Sequence, residues 1–207
     1  MRNNIAKQKM RAGQPIFGAL LKMPAPPAVE LCALGGMDFV LLDAEHGSID
    51  VHVAEEMVRA AEASGIAPFV RVPDTSASTM TRYLDIGVMG IQAPNISSKE
   101  EALHVVQCCR YFPEGKRTTG KTRAACYGAE SNLASYMKEA NRELLVAVVI
   151  EDQQGLENMD DILDVQGLDV ICVGPLDLAH SMGLSDQQHP QVQTAIQNMA
   201  SQARRSS

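Results

Sequence analysis

The stretch FVLLDAEHG, residues 39–47, joins an apolar run of strand type to two carboxylates, a histidine and a glycine. Its apolar residues do not alternate with polar ones, which is typical of a strand covered on both faces of a parallel sheet. The titratable residues Asp43, Glu45 and His46 follow at the carboxyl end of that strand. Parallel α/β folds build their sites at this end. The stretch therefore predicts the fold class and the edge of an active site together.

The same arrangement recurs along the chain. Further apolar runs end in Arg71 (residues 68–71), in Glu151 (145–151) and in Asp177 (170–177). Helices are predicted over 3–12, 28–34, 50–64, 76–86, 97–111, 132–140, 155–164 and 190–203, and a basic, glycine-rich loop over 112–130. Strands that alternate with helices indicate βα units. We therefore predict a single α/β domain over residues 1–207, of the TIM (β/α)8-barrel type.

The number of these units is lower than a whole barrel requires. About six βα units can be counted, whereas a closed TIM barrel has eight. The sequence thus predicts either an open sheet or a barrel truncated at its C-terminus. The exposed strand edge of such a barrel could be covered by another subunit, or the sequence could be a fragment of a longer chain.

Composition narrows the classes of partner. The net charge of -7 and the pI of about 5.2 argue against nucleic acid as a partner. No apolar run reaches the roughly 18 residues that cross a bilayer, and the N-terminus lacks a secretory signal, so no membrane partner is expected. The five cysteines include no C-x-x-C pair, which predicts reduced thiols in a cytoplasmic protein.

Two carboxylates form the candidate metal site. Glu151 and Asp177 are separated by one βα unit, which in a parallel sheet places them at the ends of neighbouring strands. Carboxylate oxygens with room for water suit Mg²⁺ or Mn²⁺ better than zinc. The alternative is a pair of ordinary strand-end acids, one of which caps a helix.

His46 is the candidate acid/base group. An imidazole gains and loses its proton near neutral pH, and Asp43 or Glu45 could orient the ring. The alternative is a loop histidine held by a structural hydrogen bond.

Arg71 is the candidate oxyanion-stabilising group. A cation at the end of an apolar strand must be paired or must face a pocket, because an unpaired buried charge is costly. Its planar guanidinium suits a carboxylate or an enolate oxygen. The alternative is a salt bridge to Asp43 or Asp85.

Weaker signals complete the set. The turn Gly174-Pro175-Leu176 opens a helix whose N–H groups could bind a substrate carboxylate. Arg123, with Lys116, Arg117 and Lys121 in the basic loop, could contact a second anionic group, or the loop could simply be solvated. Lys22, after the first strand, leaves open a metal-free aldolase that works through a Schiff base.

Together these residues resemble the HpcH/HpaI family of metal-dependent 2-keto-acid aldolases, of the phosphoenolpyruvate/pyruvate barrel superfamily. The matching stretches are residues 36–47, 70–72, 84–87, 110–117, 150–151 and 173–178. The resemblance implies a TIM barrel in which Glu151 and Asp177 bind a divalent metal, Mg²⁺ or Mn²⁺ and less commonly Co²⁺. It implies that His46 is the acid/base group assisted by Asp43, and that Arg71 stabilises the pyruvate enolate. Such enzymes cleave 4-hydroxy-2-keto acids to pyruvate and an aldehyde. Hexamers are typical of the family, so a homo-oligomer, from dimer to hexamer, is expected here.

One departure from the family pattern keeps two alternatives open. Aldolases of this family often carry glutamine two residues before the metal glutamate, where this chain has Val149. Some members instead condense oxaloacetate with an acetyl donor to make citrate during siderophore assembly, and Lys22 and Arg123 would suit that changed pocket. The predicted truncation favours a further alternative, a non-catalytic protein that binds keto acids.

Overall fold

The computed structural model describes residues 2–129 and 132–205. Its strands are β1 (Gly18–Leu21), β2 (Phe39–Asp43), β3 (Ala67–Arg71), β4 (Gly90–Ala93), β5 (Leu145–Ile150) and β6 (Val170–Val173). Its helices are α1 (Ile5–Arg11), α2 (Pro26–Leu34), α3 (Val51–Ser64), α4 (Ala77–Asp85), α5 (Lys99–Cys109), α6 (Leu133–Glu143), α7 (Gln153–Glu157), α8 (Met159–Leu163), α9 (Pro175–Ser181) and α10 (Pro190–Arg205).

The strands confirm the predicted fold class. They form one six-stranded sheet in chain order, and the pairings β1/β2, β2/β3, β3/β4 and β5/β6 are parallel. Parallel strands in sequential order with helices between them are what a TIM-type barrel with six βα units contains. No helix within residues 2–129 and 132–205 is long and apolar enough to cross a membrane.

The chain divides into two compact units, and the single-domain prediction stays a prediction. Unit 1 comprises Met1–Gln92 and Gln107–Leu145, and unit 2 comprises Ala93–Val106 and Val146–Ser207.

Unit 1 is organised around β2 and β3. Val40, Leu42 and Val70 are fully buried in these strands, and the rings of Phe39 and Phe69 stack with centroids 5.1 Å apart. Helix α3 begins where the Asp50 side chain accepts the N–H of Val53, and it buries the face that carries Ala54, Met57, Val58 and Ala61. It ends at Gly65, whose φ of 74° favours glycine.

Unit 2 is organised around β5, which is buried along its whole length. β6 pairs with it from Ala147↔Val170 to Ile150↔Val173. The side chains of Leu178 and Ala179 in α9 pack against Val192 in α10. This packing holds α9, which follows β6 directly, against α10.

Two segments differ from the predicted elements. The basic loop contains a 3₁₀ segment, Arg123–Gly128, in which Cys126 and Tyr127 have positive φ angles of 50° and 54°. The helix predicted over 155–164 is two short helices, α7 and α8, with Asn158 between them. The Asp152 side chain accepts the Gly155 N–H, so the first of these helices begins earlier than apolar spacing indicates.

Candidate active site

Asp43 and Arg71 form the centre of the carboxyl edge of unit 1, which is the set of loops at the carboxyl ends of β1–β3. They are opposite each other in the β2/β3 register. Arg71 donates from Nε to Asp43 Oδ1 at 3.0 Å and from Nη2 to Oδ2 at 2.6 Å. The Asp43 side chain is fully buried and that of Arg71 is 16% exposed. The salt bridge that the sequence left as an alternative for Arg71 is therefore present, with Asp43 as its partner.

Asp43 also holds the loop that follows β2. Its Oδ1 accepts the backbone N–H groups of Glu45 (3.2 Å) and His46 (3.1 Å). Burial alone would raise the pKa of this carboxyl, but the hydrogen bonds from Arg71 and from the backbone of His46 and Glu45 lower the pKa overall. Asp43 is thus an ionised, buried anchor for the loop.

Gly47 closes this loop against the strand ends. A Cβ at this position would lie 2.2 Å from the carbonyl oxygen of Asp43 and 3.0 Å from that of Lys22. Both obstacles are backbone atoms, so no side-chain movement could make room. The glycine is therefore what lets the loop fold back over Asp43.

Glu45 and His46 project from the anchored loop. Glu45 Oε2 lies 3.1 Å from Arg71 Nε and 3.9 Å from His46 Nε2. The His46 side chain is 58% exposed. The carboxylate beside the imidazole is thus that of Glu45, whereas the described hydrogen bonds of Asp43 go to Arg71 and to the backbone.

Lys22 brings a second cation to the same edge. Its Nζ lies 3.9 Å from Asp43 Oδ2, and its side chain is 56% exposed. An exposed lysine next to an already neutralised aspartate does not have the desolvated surroundings that a Schiff-base lysine needs, which weighs against the metal-free alternative.

In unit 2, Glu151 lies directly after β5, where one neighbour binds its carboxylate and another leaves it room. Its Oε1 accepts the N–H of Asn95 at 2.8 Å. A Cβ on Gly174 would lie 2.4 Å from its Oε2, so the end of β6 leaves space that only glycine permits. Asp177 follows in the first turn of α9 and is exposed.

These oxygens fit a hard divalent cation. Among residues 2–129 and 132–205, no three His, Cys, Asp or Glu side chains group closely enough to hold a metal ion. Glu151 and Asp177 stay the predicted ligands, and an ion held by two carboxylates would take its remaining ligands from water or substrate oxygens, as Mg²⁺ commonly does. Sequence reasoning missed Asn95; the signal was its place just after the β4 run, as Pro94-Asn95.

The turn before α9 offers less to a substrate than the sequence predicted. The Gly174 N–H donates to the Ile150 carbonyl at 3.3 Å, and Pro175 has no N–H. Of the three predicted contacts, Leu176 is the one that can still offer a backbone donor.

Two residues predicted as possible site members lie elsewhere in unit 1. Arg123 Nη1 donates to the Ile86 carbonyl at 2.7 Å, and its guanidinium pairs with Glu62. Asp85 pairs with Arg117 at 3.1 Å. These partners lie on the helices and turns that precede β3 and β4, at the opposite strand edge. Within this unit Arg123 thus lies away from the carboxyl edge, and its contact with a substrate stays a prediction.

Comparisons with known proteins show which family this chain resembles in sequence and fold. The HpcH/HpaI aldolase/citrate lyase family matches residues 20–207. The 5-keto-4-deoxy-D-glucarate aldolase of Shigella boydii serotype 18 is 37% identical over 202 residues, which cover 97% of this chain and 77% of that protein. The crystal structure of the citrate synthase SbnG superposes with a TM-score of 0.88 at 32% identity, over 97% of this chain and 78% of SbnG.

A more distant structure is similar in fold alone. It is the citrate lyase beta subunit from M. tuberculosis, complexed with oxaloacetate and magnesium, with a TM-score of 0.54 and 14% identity over 94% of this chain and 74% of that one.

Proposed function

Because the chain belongs to the HpcH/HpaI aldolase/citrate lyase family and is a carbon–carbon lyase, we propose that it cleaves 4-hydroxy-2-keto acids to pyruvate and an aldehyde, and catalyses the reverse addition. The observation that carries the proposal is the edge of unit 1, where Arg71 lies between the carboxylates of Asp43 and Glu45, with His46 beside Glu45. This set combines a fixed cation with a group that can move a proton.

Arg71 has the role of stabilising negative charge. When the bond between C3 and C4 breaks, its electron pair moves to the keto carbon's oxygen and leaves an enolate. A guanidinium fixed in place by Asp43 needs no reorganisation to stabilise that charge. Its 16% exposure keeps it accessible while limiting the screening by water.

His46 has the role of moving the proton. It accepts the proton of the C4 hydroxyl as the aldehyde forms, and protonation of the enolate at C3 then gives pyruvate and restores the proton balance. In the reverse direction it returns a proton to the hydroxyl oxygen. Glu45 stabilises the imidazolium that forms. Asp43 acts indirectly, because it fixes the backbone of both residues.

Glu151 and Asp177 would hold the divalent ion, Mg²⁺ or Mn²⁺. When bound, the ion polarises the keto group of the substrate. The Asn95 N–H holds the Glu151 carboxylate, and Gly174 leaves it room. Leu176 would contribute an N–H to the substrate carboxylate.

A coupled assay tests this function. Purified protein is incubated with a panel of 4-hydroxy-2-keto acids, including 5-keto-4-deoxy-D-glucarate, and pyruvate is measured with and without Mg²⁺ or Mn²⁺. We expect metal-dependent pyruvate release, with kcat lowered about 100-fold or more in His46→Ala. The exposed helix residue His52 supplies the control His52→Ala, which should keep full activity.

The outcomes separate the alternatives. Keto-acid binding without turnover across the panel would contradict the proposal and favour a non-catalytic binding protein. Turnover that needs no metal, and that is lost when borohydride is added in the presence of substrate, would favour a Schiff-base mechanism at Lys22.

A citrate-forming condensation is the second candidate. It is favoured by the similarity to the citrate synthase SbnG. Incubation with oxaloacetate and acetyl-CoA tests it, because condensation releases a free thiol that a colorimetric reagent detects. Thiol release without pyruvate release would replace the aldolase proposal.

A homo-oligomer, from dimer to hexamer, is part of the same proposal. Light scattering during size-exclusion chromatography measures it, and a monomer at micromolar concentration would contradict it.

A further inference from the structure

The loop between β4 and α5, residues 94–98, is attached to the segment that carries the predicted metal ligand Glu151. Both segments belong to unit 2. The Ile96 N–H donates to the Val149 carbonyl at 3.0 Å, and the Asn95 N–H donates to Glu151 Oε1 at 2.8 Å. The loop therefore follows the end of β5 and directs one backbone donor at the carboxylate.

The donor at Asn95 comes from an uncommon backbone conformation. Its φ is 55°, in the left-handed region, where residues other than glycine are seldom found. Asparagine tolerates this region better than most residues do, but such a conformation persists only where the surrounding structure requires it. The direction of this N–H therefore depends on the contacts that fix the rest of the loop.

Ser97 makes the first of these contacts. Its hydroxyl donates to Asp152 Oδ2 at 2.5 Å, and both residues are partly buried. Asp152 follows Glu151 directly in the chain, so this bond joins the loop to the neighbour of the predicted ligand. The other oxygen of Asp152, Oδ1, accepts the Gly155 N–H at 2.7 Å, where α7 begins. Both oxygens of the Asp152 carboxylate are therefore hydrogen-bonded.

Asn158 makes the second contact, from the other end of α7. Its Nδ2 donates to the Ser97 carbonyl at 2.7 Å, so the hydroxyl and the carbonyl of Ser97 both bind the short segment 152–158. This segment lies close to the loop, because a Cβ on the buried Gly155 would lie 3.0 Å from the Ile96 carbonyl oxygen. Glycine at this position permits the close approach that these bonds require.

A separate set of bonds in the same loop serves α5. Glu101 Oε2 accepts the N–H groups of Ser97 (2.8 Å) and Ser98 (3.1 Å), and the Ser98 hydroxyl accepts the Glu101 N–H at 3.2 Å. Reciprocal bonds of this kind form a capping box, which stabilises the start of a helix. The loop thus contains two adjacent serines, of which the first binds Asp152 and the second caps α5.

We propose that Ser97 and Asn158 are positioning residues for the metal site, and that they raise its affinity for the divalent ion by fixing the Asn95 N–H on Glu151. A carboxylate that accepts a fixed donor keeps its remaining lone pairs in one direction, which favours binding of an ion. Without the Ser97 hydroxyl or the Asn158 amide, the loop can carry the Asn95 donor away from Glu151. The inference rests on the proposed function, in which Glu151 binds Mg²⁺ or Mn²⁺.

Manganese binding tests the proposal without an activity assay. The whole chain is titrated with Mn²⁺, and the signal of the free ion is followed by electron paramagnetic resonance to give the dissociation constant. We expect Ser97→Ala and Asn158→Ala each to raise that constant about tenfold, as is typical when a metal ligand loses the hydrogen bonds behind it. Neither substitution changes a charge, so weaker binding reports the position of Glu151. Circular dichroism verifies that both variants fold.

Ser97→Thr and Ser98→Ala are the matched controls. Ser97→Thr keeps the hydroxyl and should restore most of the wild-type affinity. Ser98→Ala removes the cap of α5 in the neighbouring residue, so it should lower the free energy of unfolding and leave the dissociation constant unchanged. These two variants separate the position of Glu151 from the general stability of the loop. Glu151→Gln should abolish binding, which assigns the measured ion to the predicted site.

The outcomes distinguish this inference from the proposed function. If the wild type and Glu151→Gln behave as expected but Ser97→Ala and Asn158→Ala bind Mn²⁺ as tightly as the wild type, the positioning role is overturned and the metal site stands. An equal loss of affinity in Ser98→Ala would also overturn it, because general loosening of the loop would then be sufficient. A wild-type chain that binds no Mn²⁺, or an unchanged affinity in Glu151→Gln, would contradict the metal site and the inference with it.

Discussion

At the scale of single residues, Asp43 determines the arrangement of the unit 1 edge. It is fully buried, so its charge must be compensated. Two hydrogen bonds from Arg71 and two from the loop backbone do so. These bonds also position Glu45 and His46, so the Asp43 carboxylate both pairs with the Arg71 cation and fixes the shape of the loop.

Arg71→Met should therefore destabilise the protein by about 3 kcal/mol, because it leaves a buried carboxylate without its cation. Urea unfolding measures the free energy. The double variant Asp43→Asn/Arg71→Met should recover part of the loss, since the uncompensated charge is gone. The coupling would be contradicted if Asp43→Asn lowered the free energy of unfolding as much in the Arg71→Met background as it does in the wild type.

The roles of these residues were predictable only in part. That Arg71 must be paired or face a pocket followed from its place after an apolar strand, and Asp43 was named as a partner. Which carboxylate faces His46 was not predictable, because it depends on how the loop turns over Gly47. The sequence shows a glycine there but not the backbone atoms 2.2 and 3.0 Å from its missing Cβ.

Lys22 allows a test of substrate charge. Its ammonium is exposed next to an aspartate that Arg71 already neutralises, so it can bind an acidic group of a substrate. Lys22→Gln should raise KM about fivefold for an acidic aldehyde in the addition reaction, the effect of an exposed ion pair. KM for glycolaldehyde, which has no charge, should not change.

Lys99→Gln is the control for this variant. Lys99 is 44% exposed and lies 3.7 Å from Asp164, so it resembles Lys22 in exposure and pairing. An equal rise of KM for both aldehydes in Lys22→Gln would show that the lysine supports the fold of the edge and does not read substrate charge.

At the scale of elements, strands were more predictable than the segments between them. β2 begins where the predicted apolar run begins, at Phe39, and β5 ends one residue before the predicted run of 145–151, because continuous apolar runs have few other structures available. The basic loop was less predictable, since its 3₁₀ segment depends on Arg123 binding Glu62 and the Ile86 carbonyl. Long-range pairs of this kind leave no periodic pattern in the sequence.

The junction of β6 and α9 provides a prediction at this scale. In Gly174→Ala the new Cβ would overlap Glu151 Oε2, at 2.4 Å, and lie 2.8 Å from the Glu151 Cβ. Glu151 must then move, so the Mg²⁺ concentration needed for half-maximal activity should rise about tenfold or more. Metal titration of the initial rate measures it.

Gly35→Ala is the matched control for this junction. Gly35 has a right-handed φ of -71° at the end of α2, and its Cβ would lie 3.3 Å or more from neighbouring atoms. Unchanged metal dependence in Gly174→Ala, with normal folding, would show that Glu151 does not bind the ion.

At the scale of the whole molecule, stability should fall in acid because the pKa values of three aspartates are lowered. Burial raises the pKa of Asp43, but the hydrogen bonds from Arg71 and the backbone lower it by more, so the net shift is downward. A hydrogen bond from Lys9 lowers the pKa of Asp38, and one from the Ser76 side chain lowers the pKa of Asp74. A folded-state pKa below the ordinary 3.8 means that the unfolded chain binds more protons. Stability is then fully present above pH 3.8 and is lost as the pH falls through the folded-state values.

The free energy of unfolding should therefore decrease from about pH 4 towards pH 2, by at most about 1.4 kcal/mol per pH unit for each carboxyl that takes up a proton. Asp43→Asn should be less stable at neutral pH and less sensitive to acid, because its buried carboxyl no longer titrates. The exposed Asp161 of unit 2 supplies the control Asp161→Asn, which should keep the slope of the wild type. If Asp43→Asn kept that slope too, the acid sensitivity would come from the exposed carboxylates, and the ionised pair with Arg71 would not be what holds the edge together.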